Sequence, residues 1–195
     1  MRFIQSVALL SLAGLGLASP VDASASVARG NCGKGWGSGN GNGWGNDGKC
    51  GHCMRPDDAQ TLVDAYVRMI SAWDDADAKY LAENFRDTSD SINQLAGKPL
   101  GSDTFPTKQS FLDHMHEQPD NLPIQVRHQT PTACDEVAVI WDATFGVAQK
   151  PVRGITIIKG TKDAGFWQIE SLDVEFNNIA YLLNIGGSYK MPGQA

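Results

Sequence analysis

Apolar and polar residues alternate along the second half of the chain, and helical spacing prevails in the part just before it. Between residues 124 and 176, four segments alternate as β-strands do: IQVRHQT, EVAVIWDATFGV, VRGITIIKG and FWQIESLDVEF. Helices are predicted at 57–73, 77–86 and 107–118, and a short strand at 91–96. Because the helices precede the main run of strands, a doubly wound parallel sheet is excluded. The pattern predicts an α+β protein whose helices pack on one face of a bent sheet and enclose a pocket.

The same alternation predicts which side chains face that pocket. One apolar row shares a face of its strand: Val137, Val139, Trp141, Ala143 and Phe145. His128 shares the parity of Val126, which puts a polar side chain on an otherwise apolar face. In the last strand the apolar parity changes after Ile169, and a β-bulge near Glu170 would bring Leu172 back to the inward face.

The N-terminus has the form of a secretory signal peptide. Arg2 precedes the apolar run FIQSVALLSLAGLGLA, and small residues follow it. We assign residues 1–18 to the signal peptide, with cleavage as late as residue 25 as an alternative, and a retained anchor as the competing interpretation. The mature protein is therefore predicted to be secreted, without membrane attachment.

Residues 26–56 are rich in glycine, tryptophan and cysteine, and two interpretations stay open for them. The stretch contains too little apolar surface to offset the entropy of ordering its backbone, so it is predicted to be flexible. It is either a linker or an adhesive arm in which Trp36 and Trp44 stack on sugars or apolar surfaces. The globular domain is predicted to span 57–195.

Four cysteines remain after signal removal: Cys32, Cys50, Cys53 and Cys134. In an oxidising compartment an even number of cysteines favours two disulfides, and three pairings are open. A bond from Cys134 to the N-terminal segment is mildly favoured, because this cysteine alone lies inside the globular region. The CxxC sequence around His52 also suggests zinc or redox chemistry, but a fourth zinc ligand is not evident, and we predict no metal.

The charge distribution argues against nucleic acid as a partner. The chain has a net charge of −6, and the 57–195 region alone holds 20 acidic and 11 basic side chains. An acidic body of this kind has little with which to neutralise phosphates.

The helix followed by WDDAD, a second short helix ending in Phe85, and the meander whose last strand opens with WQI resemble the nuclear transport factor 2-like (SnoaL-like) superfamily. The resemblance covers roughly 57–185 and looks closest to secreted filamentous-fungal members of unassigned function. It implies a cone-shaped roll of three N-terminal helices on a strongly curved antiparallel sheet. It also implies pairing of some members through the outer sheet face, so a homodimer is one expectation.

The resemblance suggests where chemistry would lie. Compared with scytalone dehydratase, one member of the superfamily, Trp73 and Asp74 match an aromatic-Asp pair and His128 matches one pocket histidine. Trp141 stands where that enzyme has its second histidine, which weighs against the same dehydration. We predict Asp74 and His128 as catalytic, with desolvation raising the pKa of the carboxyl. The competing interpretation makes Asp74 a helix cap and His128 a core residue.

An aromatic lining of Tyr66, Trp73, Trp141 and Phe145 is predicted to bind the ligand, although the same residues would also serve as ordinary core. The sequence contains no nucleophile elbow or phosphate loop, and we predict no cofactor. Two functions are consistent with these features. The first is binding of a small hydrophobic molecule, with cofactor-free proton transfer (isomerisation, cyclisation or dehydration). The second is a non-catalytic secreted binding or effector-type protein that acts through its pocket and its Gly/Trp arm.

Overall fold

The computed structural model describes residues 53–117, 122–191 and 193. The predicted signal peptide and the Gly/Trp-rich segment as far as residue 52 lie outside the described residues, as do Cys32 and Cys50. No helix in the described part of the chain is both long and apolar enough to cross a bilayer.

The first helix, α1, spans Pro56–Ser71 and buries Leu62, Tyr66 and Met69. The predicted helix 57–73 extends too far, because Trp73 lies beyond Ser71 and is half-buried. The start of α1 also differs from the predicted one. Arg55 is the N-cap residue, and the Asp58 carboxylate accepts a hydrogen bond from the Arg55 backbone N–H. A short 3-10 helix, Asp75–Tyr80, follows α1.

The predicted second helix, 77–86, is wrong over most of its length. Strand β1 spans Leu81–Thr88 and buries Leu81, Phe85 and Asp87. Leu81 and Phe85 are four residues apart, and a spacing of four fits the period of a strand as well as that of a helix.

The predicted strand at 91–96 is also wrong, because the chain forms helix α2, Asp90–Ala96. Its ends carry two cap signals. The Ser89 side chain accepts a hydrogen bond from Ile92 N, and Gly97 follows the helix with φ +67°. These local bonds outweigh the weak alternation of the segment.

The third predicted helix is confirmed. Strand β2, Asp103–Phe105, leads into α3, Lys108–Glu117, and Thr107 Oγ1 accepts from Ser110 N at 3.1 Å, as expected of an N-cap. Phe111 and Met115 are buried.

The four predicted strands are confirmed as β3 (Gln125–Ala133), β4 (Glu136–Thr144), β5 (Pro151–Thr161) and β6 (Gln168–Phe176), and α4 (Asn178–Asn184) follows them. The predicted bulge is present as well. Gly160 pairs with Ile169 and Lys159 pairs with Ser171, so Glu170 is the extra residue.

The sheet is mixed, and the expectation of a wholly antiparallel sheet is wrong. Its strand order is β2-β1-β6-β5-β4-β3, and β1 runs parallel to β6. The cause is the misassigned second helix, because the segment after the 3-10 helix is a strand that joins the sheet beside β6. The inward-facing residues of β4, β5 and β6 form the core with α1.

One disulfide joins described residues, between Cys53 and Cys134. It attaches the start of α1 to the turn between β3 and β4, and Met54 N donates to Cys134 O at 2.7 Å beside it. The prediction that Cys134 forms a disulfide with a cysteine of the N-terminal segment is thus confirmed, with Cys53 as its partner.

Candidate functional site

Asp74 lies at the surface and caps the 3-10 helix. Its Oδ1 accepts a hydrogen bond from Ala76 N at 2.8 Å, which satisfies one of the free N–H groups at the helix start. The expectation that this carboxylate points into the interior is wrong, because the side chain is exposed.

His128 is also exposed, on the edge strand β3. The reason is an irregularity in the β3–β4 register. Val126 pairs with Trp141, whereas His128 pairs with Ile140, so the intervening Arg127 shifts the parity of the strand. His128 therefore has the parity of the outer face, and the structure does not bring it together with Asp74.

Tyr66 and Trp141 do meet inside the protein, through a residue that the sequence reasoning did not single out. Tyr66 projects from α1, Trp141 from β4 and Thr156 from β5, and all three are buried. The Tyr66 hydroxyl lies 2.8 Å from Thr156 Oγ1, and Trp141 Nε1 donates to the same oxygen at 2.9 Å. Burial raises the pKa of Tyr66, so this hydroxyl stays neutral and keeps a proton that it can donate.

Asp87 is the most unusual residue of this interior. Across the described residues, its Oδ1 is the one fully buried side-chain nitrogen or oxygen that has no hydrogen-bond partner. Burial raises its pKa to about 7, and the like charges of Asp173 and Asp103 add to the effect while Lys98 opposes it. A carboxyl in this state is protonated and deprotonated in comparable amounts near neutral pH.

The position of Asp87 follows from the strand that carries it. Alternation on β1 puts Asp87 on the same side as the buried Phe85, and its neighbours in the sheet are Phe105 on β2 and Leu172 on β6. Burial is the main cause of the raised pKa of Tyr66, and the charge of Asp87 adds to it.

Lys98 is the cation that lowers the pKa of Asp87, and it is held in place by its own contacts. Its Nζ donates to Thr104 O at 2.6 Å and lies 5.2 Å from the centre of the Phe105 ring. Because Lys98 does not form an ion pair with Asp87, the carboxyl keeps an unpaired oxygen.

Aromatic rings extend from Trp141 towards α4. Phe176 lies 6.2 Å from Trp141, Tyr181 lies 5.1 Å from Phe176, and Phe145 lies 5.0 Å from Tyr181, between ring centres. Phe145 is half-buried. The predicted residues Tyr66, Trp141 and Phe145 thus belong to one connected set.

Trp73 belongs to a different cluster. Its indole N–H donates to Asp75 Oδ1 at 3.0 Å, and His116 Nε2 lies 2.7 Å from the same oxygen. The Trp73 and His116 rings meet edge to face at 5.8 Å. This cluster joins the 3-10 helix to the end of α3 near the surface, and its contacts hold these two elements together.

Sequence reasoning missed Asp87, Thr156, Phe176 and Tyr181. Thr156 stands in the alternating series that includes Val152 and Ile158, so a polar residue at an inward position was the available signal. Asp87 carried the same signal relative to Phe85, but only once the segment is taken as a strand. The described residues contain no group of three or more His, Cys, Asp or Glu side chains that could hold a metal ion.

Comparisons with known proteins agree on the fold. A family model of the NTF2-like domain matches residues 52–188. Among solved structures, a protein provisionally assigned as a SnoaL-like polyketide cyclase from Shewanella denitrificans OS-217 has a TM-score of 0.50 and 13% identity, covering 67% of this chain and 98% of that one.

Two further solved structures are similar at lower scores. One is a hypothetical protein with a ketosteroid isomerase-like fold from Catenulispora acidiphila DSM 44928, in complex with trimethylamine (TM-score 0.49, 11% identity, 67% and 97% coverage). The other is an NTF-2 like protein of unknown function from Burkholderia xenovorans LB400 (TM-score 0.48, 11% identity, 72% and 91% coverage). The curated proteins contain no match to this chain.

Proposed function

Since the chain belongs to the NTF2-like domain family, we propose that it binds a small, largely hydrophobic molecule between α1 and the inner face of the sheet, and transfers a proton on it without a cofactor. The proposal includes a sheet curved strongly enough to enclose the ligand, as the cone of the superfamily implies. The observation that carries it is Asp87, whose buried oxygen has no protein partner and whose pKa is about 7. A buried polar atom of this kind calls for a partner from outside the chain.

Asp87 has the properties of a general base. A base works best when its pKa lies near the working pH, because it is then ionised often enough to accept a proton and basic enough to take it. It is buried and its neighbours in the sheet, Phe105 and Leu172, are apolar, so an ionised carboxylate there is poorly solvated and correspondingly reactive.

Tyr66 supplies the complementary group. The substrate class that suits the pair is an enolisable carbonyl compound. Asp87 removes the proton from the carbon next to the carbonyl, the electron pair moves onto the carbonyl oxygen, and the Tyr66 hydroxyl donates a hydrogen bond to that oxygen. Where a C=C bond adjoins the deprotonated carbon, the enolate charge is shared with a second carbon, and return of the proton from Asp87 to that carbon completes an isomerisation without a metal or a redox partner. Trp141 and Phe176 offer flat apolar surfaces for the rest of the molecule.

The test is hydrogen exchange on a panel of enolisable cyclic ketones. The wild type is incubated with each ketone in D2O, and mass spectrometry counts the deuterium incorporated beside the carbonyl. We expect exchange to rise with pH, with a midpoint near 7. Asp87→Asn should abolish it, and Tyr66→Phe should slow it roughly 100-fold, the usual effect of removing one oxyanion donor.

Asp74→Asn and His128→Ala are the matched controls, because catalysis by these two residues stays a prediction that the same assay decides. Asn caps a helix as well as Asp does, so the first substitution should leave the fold intact. Unchanged exchange in both variants supports the interior site. Loss of exchange in both, with Asp87→Asn unaffected, would move the site to Asp74 and His128. Binding of ketones without exchange in any variant would favour the non-catalytic function.

We also propose that the protein is secreted. The disulfide between Cys53 and Cys134 supports this, because such bonds persist mainly in oxidising compartments.

We propose further that the protein forms a homodimer through the outer face of the sheet, and the exposed residues of β5 support this. Ile155 and Ile157 are 50% and 38% exposed in the middle of the sheet, where a solvated face would carry polar residues.

A further inference from the structure

The hydrogen bonds beneath the Tyr66 hydroxyl have a direction that follows from the chemistry of the groups. An indole N–H can only donate, so Thr156 Oγ1 accepts from Trp141 Nε1. Among the described residues, the other hydrogen bond of this oxygen is the one to Tyr66, at 2.8 Å. The hydroxyl proton of Thr156 is therefore satisfied when it is donated to the Tyr66 oxygen.

We infer that Thr156, held by Trp141, is a positioning residue that leaves the Tyr66 hydroxyl proton free to be donated to a bound ligand. This inference rests on the proposed function, in which Tyr66 donates to the ligand oxygen. If Tyr66 donated to Thr156 instead, its proton would point towards β5, and the proton of Thr156 would have no acceptor. Consecutive donors also polarise each other, so a Tyr66 oxygen that accepts from Thr156 is a stronger donor to the ligand.

Gly154 makes the arrangement sterically feasible. The β4–β5 register pairs Gly154 with Trp141, and a Cβ at this position would lie 2.1 Å from Trp141 Cζ2. Without a side chain here, the indole ring lies against β5 and its N–H reaches Thr156, two residues further along the same inward face. Phe176, the partner of Gly154 on β6, lies 6.2 Å from Trp141 between ring centres.

This arrangement of Tyr66 and Asp87 restricts the class of ligand. A ligand that accepts from Tyr66 and faces Asp87 has an oxygen acceptor next to an acidic proton, as enolisable ketones and neutral phenols do. A phenol is the more convenient probe, because it stays bound without reacting. Its oxygen accepts from Tyr66 while its own O–H donates to the unpaired oxygen of Asp87.

The test is a double-mutant cycle with 2-naphthol, whose fluorescence reports binding, at pH 8. Loss of one hydrogen bond should weaken binding about 10-fold in Tyr66→Phe, and Thr156→Val should weaken it by a similar factor. Because the two residues act through the same donated proton, the double variant should bind no more weakly than Tyr66→Phe alone. Thr156→Ser, which restores the hydroxyl, should bind within about twofold of the wild type.

Each other outcome overturns a defined part of the argument. A loss of about 100-fold in the double variant would show that Thr156 acts independently of Tyr66, and would overturn the inference while the proposed function stands. Weak binding of 2-naphthol by Thr156→Ser would likewise show that Thr156 contributes through packing and not through its hydroxyl. No binding of 2-naphthol by the wild type, or full binding by Tyr66→Phe, would refute Tyr66 as the ligand donor, and both proposals with it.

A ligand-free measurement checks the donor to Thr156. The ¹⁵N–¹H resonance of the Trp141 indole should move upfield in Thr156→Val and keep its position in Thr156→Ser. An indole resonance that is the same in all three proteins would show that Trp141 does not donate to Thr156, and would overturn the inference even if all variants fold normally.

Discussion

Replacing Asp87 by Asn should change the stability of the protein in a way that depends strongly on pH. In the fold the pKa of Asp87 is about 7, against an ordinary value of 3.8, and burial is the main cause. Each pKa unit corresponds to about 1.4 kcal/mol, so the fold loses about 4 kcal/mol when Asp87 ionises. The folded state keeps the proton to a higher pH than the unfolded chain. This loss therefore grows as the pH rises from about 4 to about 7, and it is constant above that range.

The assay is urea denaturation of both proteins from pH 4 to pH 8, followed by tryptophan fluorescence. The free energy of unfolding of Asp87→Asn, relative to the wild type, should rise by about 4 kcal/mol over this range, since Asn never ionises. Other titrating groups are common to both proteins and cancel in the difference. A difference that stays constant within about 1 kcal/mol would refute the assignment of a raised pKa to Asp87.

Asp77→Asn is the matched control for this experiment. Asp77 is also buried, but it accepts two hydrogen bonds from the Arg68 guanidinium, at 2.8 and 3.2 Å. Hydrogen bonds to a charged group typically contribute about 2 kcal/mol, so this substitution should lower the free energy of unfolding at pH 8. The two substitutions are chemically identical and should have effects of opposite sign at that pH.

Three further substitutions test the packing of Trp141, the disulfide and the dimer interface. Gly154→Ala should lower the free energy of unfolding by about 2 kcal/mol and shift the fluorescence of Trp141, because the new Cβ would overlap the indole ring. An unchanged emission spectrum would contradict this expectation. Cys134→Ser should lower the free energy of unfolding by about 3 kcal/mol, because the bond to Cys53 closes a loop with a sequence separation of 81, and denaturation under identical conditions measures the loss. Ile155→Lys should convert a dimer into a monomer in sedimentation experiments if the outer face is the interface, and a wild type that sediments as a monomer would reject the homodimer.

The sequence predicted the strands well because their signals are local and repetitive. The bulge at Glu170 could be located from the change of apolar parity alone, and the register confirms it. The irregularity at Arg127 left no such trace, because β3 is exposed along nearly its whole length and its residues carry little inward or outward preference. The apolar and polar alternation therefore could not predict the sheet face on which His128 lies, because a shift of one residue moves a side chain to the opposite face.

The site was harder to predict, because its key residue depends on one misassigned element. Leu81 and Phe85 fit a helix and a strand equally well, and only the strand puts Asp87 beside Phe85 on the inner face. The hydrogen bonds of Thr156 join α1, β4 and β5, so they follow from the packing of three elements and not from any pattern along the chain. In contrast, the aromatic residues Tyr66 and Trp141 could be identified because large rings at inward positions are visible in a strand or helix pattern.

Among the described residues two acids are buried, Asp77 and Asp87, and their contacts favour the interior over the WDDAD corner for the proposed proton transfer. Asp77 is held by the fork of Arg68, so both of its oxygens are already occupied by donors from the protein. Asp87 shares the low exposure but lacks such a partner, and its charge is opposed only by the more distant Lys98. A fold that needed only to fill this position would be more stable with an apolar residue, because an unpaired buried carboxyl is destabilising. In the proposed function Asp87 is therefore the base, because its buried Oδ1 is unpaired, whereas Asp74 is exposed and its Oδ1 already caps the 3-10 helix.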